Sequence, residues 1–107
     1  MTPSDEFKKQ SLEARLEQAV EKFQSAAQQC RTVLEPHLDK MESDEGKFNL
    51  SLISLVAIAV FKGAESPAAL DDTIEIAVAR TGIPKIALEA YARFSSAMIN
   101  MMEIRHG

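Results

Sequence analysis

Apolar residues recur along the first third of the chain at Leu12, Leu16, Ala19, Phe23, Ala26, Cys30 and Val33, spaced alternately by four and three. Val20, Ala27 and Leu34 widen the same stripe. This period marks an amphipathic α-helix, because at 3.6 residues per turn such positions fall on one side. Ser4 and Asp5 are expected caps, and from there to Leu34 neither Gly nor Pro interrupts a run rich in Glu, Lys, Gln, Ala and Leu. Those residues lose little side-chain freedom in a helix, so the first helix is expected to be long. About thirty helical residues extend roughly 45 Å, whereas a compact chain of this size has a radius of gyration near ~13 Å. The helix is therefore expected to overhang its own domain. No other element looks long enough to cover its stripe, so the stripe, Leu16 and Phe23 included, is expected to lie against a second copy of the chain.

Pro36 lacks an amide donor and disfavours helical geometry at Glu35, so the first helix should stop or kink there. "HLDKM" then adds a short helical turn. "ESDEGK", residues 42–47, combines like charges with Gly46 and reads as a solvated loop dividing a helical arm, 1–41, from a bundle, 49–107, within one domain. After it comes the strongest apolar run, Leu50 to Phe61, capped by Asn49 or Ser51 and closed by Gly63. Its polar side chains are few, which places it at the centre of the bundle with neighbours on most sides. As a helix it is about 18 Å long, against roughly 30 Å of bilayer hydrocarbon, so no membrane span is expected.

Ser66 and Pro67 open a helix that runs to Thr81 and ends at Gly82. Pro84 opens the last one, which continues to about Ile104 with Ala87, Tyr91, Phe94, Met98 and Met101 along one face. The expected fold is all-α: a long N-terminal helix followed by a compact bundle of three to four helices.

Residues 74–91, "IEIAVARTGIPKIALEAY", resemble a DNA-reading helix-turn-helix in residue order. Ala77 is the small residue of the first helix, Gly82 takes the turn, and Ile83, Leu88 and Tyr91 lock the pair. A transcriptional regulator is accordingly the alternative function. Reading bases also requires outward polar groups and basic residues for phosphates. The outward positions here are Lys85, Ile86, Glu89, Ala90 and Arg93, and Gly63 to Gly107 carries four basic against six acidic residues. Counterion release would supply little affinity on such a surface, so nucleic acid is not an expected partner.

Composition narrows the chemistry further. The 107 residues are 46% hydrophobic, enough for one core without disulfides, and 12 Lys and Arg against 16 Asp and Glu leave a net charge of −4. Cys30 stands alone, which points to a cytoplasmic protein, and the N-terminus is charged where an export signal needs an apolar segment. Cys30 and His37 are separated by a proline and no second ligand pair follows, while His106 lies next to the end. No metal, cofactor or catalytic set is expected.

The remaining signal is surplus apolar surface. "SAMINMMEIRH" places Met98, Ile99, Met101, Met102 and Ile104 on more than one side of a terminal helix, and Met suits adaptable interfaces. The expected function is a small non-enzymatic protein–protein interaction module of the adaptor, chaperone-like or accessory-subunit kind. It is expected to form a homodimer, to bind another protein, or both, with Leu16, Phe23 and the five C-terminal residues as its contact set.

Overall fold

The uninterrupted run of helix formers becomes a single helix, α1, Pro3–Leu34. Pro36 ends it by entering a 3-10 turn, Glu35–His37, which leads into α2, Leu38–Glu42. Three longer helices follow: α3, Asp44–Phe61; α4, Pro67–Thr81; and α5, Lys85–His106. The computed structural model describes residues 3–106, with side chains from residue 11 to residue 105. The caps expected at Ser4 and Asp5 lie outside the described side chains. Among the described residues there is no strand, and the architecture is the all-α one expected, a long helix followed by a bundle.

The expected loop at residues 42–47 is not a loop. Only Ser43 leaves the helical region there, with φ −67 and ψ 153. Its hydroxyl accepts from the Gly46 amide at 3.0 Å and donates to the Lys40 carbonyl at 2.8 Å, so one residue closes α2 and caps α3. The cap expected of Asn49 or Ser51 thus belongs to Ser43. Asp44 and Glu45 occupy the first turn of α3, where the helix dipole favours carboxylates. Gly46 is buried against α2 so closely that a Cβ would collide with the Lys40 carbonyl oxygen.

Two glycines with left-handed backbone end helices as the sequence suggests. Gly63, φ 77, follows α3, where Ala64 N donates to Ala59 O at 2.8 Å. Gly82, φ 73, ends α4 by donating to Val78 O at 2.9 Å.

α1 runs antiparallel to α5, with Phe23 against Phe94 and the Arg15 level of α1 beside Ile104. α3 runs parallel to α5: Ser54 is level with Tyr91 and Ser95, and Lys62 reaches Glu103 at 3.3 Å. α4 packs mainly on α3. The middle helix is therefore α5, flanked by α1 and α3, and the expectation that the apolar run sits at the centre is corrected. Ile53, Ile74, Ile83 and Leu88 are fully buried at the heart of the core, and Ala57, Ala77, Ala87 and Ala92 let the helices approach closely.

The radius of gyration is 16.4 Å and the longest extent 56 Å, so α1 does overhang the bundle. Its apolar stripe mostly does not. Ala19, Cys30 and Leu34 are buried inside the chain, and Leu12 is 45% exposed. The premise that no other element is long enough to cover the stripe fails because α5, 22 residues long, lies along it. No helix among the described residues is long and apolar enough to cross a membrane.

Candidate functional site

α3 is apolar on nearly every side, yet α2, α4 and α5, which pack on it, leave part of that surface in water. Leu50, Ile53 and Ala57 turn inward and are buried. Phe48, Leu52, Leu55 and Ala59, spaced by four, three and four, share the opposite side. Phe48 is 59% exposed and Leu55 65%, and Leu52 is exposed beside them. Large apolar side chains scattered singly on a surface are ordinary, but three on one helical face form a patch. The patch ends in charge, with Asp44 in the first turn and Lys62 just past the last.

The contact set expected from the sequence lies elsewhere and is largely covered. Leu16 is half-buried, and Phe23 packs on Phe94 with ring centroids 5.4 Å apart. Met98, Ile99, Met101 and Ile104 are half-buried along α5, and Met102 alone of the five is exposed. Ile76 and Ile86 are exposed, whereas Ala90, expected to face outward, is buried at 1% exposure. The α3 face escapes a sequence reading because an all-apolar run reads as core. The available signal is that few other helices offer an apolar stripe to surround it.

The α4–α5 corner has the left-handed glycine of a helix-turn-helix, and several of the polar groups at its turn are engaged within the chain. Thr81 Oγ1 donates to Ala77 O at 2.7 Å and accepts from Ile83 N at 3.2 Å. Lys40 Nζ donates to Gly82 O at 3.3 Å, and Lys85 lies 3.9 Å from Glu75 and 4.0 Å from Glu89. The cation nearest the start of α5 thus faces two carboxylates.

Two of the concavities among the described residues have mainly apolar linings. A groove of about 490 Å³ between α1, α2 and α5 is lined by Cys30, Leu34, Leu38, Met41, Tyr91 and Phe94 among others. Burial pushes the Cys30 thiol above its ordinary range, which keeps it protonated and a poor nucleophile. A cleft of about 370 Å³ is lined by apolar Phe61, Leu70 and Ile74, while its charged residues, Lys22, Arg93, Asp71 and Glu89, balance in sign.

Ser54 Oγ lies 3.1 Å from Tyr91 Oη and 3.2 Å from Ser95 Oγ. The serines' other bonds go to the carbonyls of Leu50 and Tyr91. These hydroxyls tie α3 to α5, and no base adjoins them to activate one. Among the described residues no group of three or more His, Cys, Asp or Glu gathers where it could hold a metal ion. Compared with known proteins, the chain matches no family model, no curated protein and no solved structure.

Proposed function

We propose that the chain is a small non-enzymatic protein–protein interaction module that works in the cytoplasm and associates with itself. The observation that carries this reading is the exposed face of Phe48, Leu52 and Leu55 on α3. Leaving such a patch in water forgoes roughly 25 cal/mol for each Å² of apolar area, a cost that a bound protein surface removes. The contact residues of the proposal are accordingly those of α3, with Met102 the exposed member of the C-terminal set.

The test is affinity capture from the native host with the intact chain and with Leu55→Glu, alongside light scattering of both. A protein partner or a doubled mass that Leu55→Glu abolishes supports the reading. A single-chain mass with no captured protein overturns it, and capture that Leu55→Glu leaves unchanged overturns α3 as the contact face.

A further inference from the structure

We infer that the partner of the α3 face is the same face of a second copy, with the two α3 helices packed antiparallel about a two-fold axis. This rests on the interaction reading above and adds the occupant and the register.

Phe48 and Ala59 are eleven residues apart, three turns, and so lie along one line on the helix. They stand equally far from the midpoint between Ile53 and Ser54. A two-fold axis through that midpoint sets Phe48 of each copy over Ala59 of the other, a large side chain against a small one. Leu52 and Leu55 flank the same midpoint, so the leucines of both copies gather around the axis. The face is self-complementary in shape, as an isologous contact requires.

The charges select the same orientation. Asp44 and Lys62 are eighteen residues apart, five full turns, and occupy the same edge of the face at opposite ends. In the antiparallel pair equal edges meet, which brings Asp44 beside Lys62 of the second copy. Lys62 already holds Glu103 at 3.3 Å on the surface, and Asp44 has no ion pair among the described residues. A parallel pair would instead place Phe48 on Phe48 and leave Asp44 and Lys62 at opposite ends. Antiparallel packing also opposes the two helix dipoles.

The experiment uses two variants of the full chain, Phe48→Cys and Ala59→Cys, each with Cys30→Ala so that one thiol remains. Antiparallel packing keeps position 48 of one copy about 16 Å along the helix from position 48 of the other, while bringing each opposite position 59. Mixed and mildly oxidised, the variants should give a covalent dimer near twice 11.8 kDa, and either one alone should remain a single chain. Leu55→Glu should return the wild-type mass in light scattering to that of one chain, with the helical circular dichroism signal retained.

Cross-linking of Phe48→Cys alone as readily as the mixture would overturn the antiparallel register. A single-chain mass at several hundred micromolar would overturn the second copy as occupant. If Leu55→Glu then still abolished capture of a different protein, the broader interaction reading would survive that failure.

Discussion

Phe23 of α1 lies against Phe94 of α5, with ring centroids 5.4 Å apart and planes inclined at 32°. The contact joins the first helix to the last and keeps most of the N-terminal stripe inside the chain. Phe23→Ala should cost about 2 kcal/mol of stability, less than a fully buried Phe because Phe23 is half-buried. Phe94→Ala should cost a similar amount. In urea unfolding the double variant should lose about 1 kcal/mol less than the two single losses together, the coupling expected of an aromatic pair. Strict additivity would show that the rings do not support one another.

Gly46 and Ser43 form the joint between α2 and α3. Gly46→Ala should destabilise by about 1 to 3 kcal/mol, because its Cβ meets the backbone carbonyl of Lys40 and the displacement would have to move α2. Ser43→Ala should cost about 1 kcal/mol through loss of the cap. Thermal melts decide both, and a neutral Gly46→Ala would mean that α2 is not fixed against α3.

Asn49 is buried at 2% exposure, and its Nδ2 has no hydrogen-bond partner. Asn49→Leu, which trades the amide for a purely apolar side chain, should therefore raise stability by about 1 kcal/mol, since it removes an unsatisfied buried donor. A marked loss in denaturant unfolding would reveal that the amide is satisfied after all.

Cys30 should react slowly with an aromatic disulfide reagent at pH 8 in the folded chain and rapidly in denaturant, because burial raises its pKa from 9.0. Unfolding exposes a thiol that ionises more readily, so above that ordinary value the unfolded chain binds fewer protons than the folded one. Stability should then decline as pH rises through 9 and above, and Cys30→Ala should lessen the decline in urea titrations at about pH 8 to 10. Rapid labelling of the native chain would contradict the burial.

Lys85 faces Glu75 and Glu89 at 3.9 and 4.0 Å, leaving little free positive charge at the start of α5. Mobility shifts with mixed-sequence duplexes at about 50 mM salt should show no binding tighter than tens of micromolar. Tight, salt-sensitive binding that Lys85→Glu or Arg93→Glu abolishes would restore the helix-turn-helix as a DNA reader.

Helix identity was legible in the sequence because its determinants are local. The spacing from Leu12 to Leu34, the stop at Pro36, the first-turn Pro67 and the left-handed turn at Gly82 each act within one or two helical turns, and the structure has all of them, while Ser66 holds the N-cap position of α4 without a side-chain cap hydrogen bond. Residues 42–47 misled because their charges look solvated, while the decisive group is a hydroxyl on Ser43 whose partners lie three residues to either side. Which apolar surface remains in water was settled only by the tertiary arrangement. By composition α3 has the stronger claim to burial and α1 offers a single apolar stripe, but α5 lies between them and has one side for each. Along α1 that contact buries Ala19, Cys30 and Leu34, whereas Phe48, Leu52 and Leu55 on the far side of α3 find no further helix in the chain. Periodicity defines the faces a helix possesses, and burial depends on the number and placement of neighbours, a property of the whole chain that no local window contains.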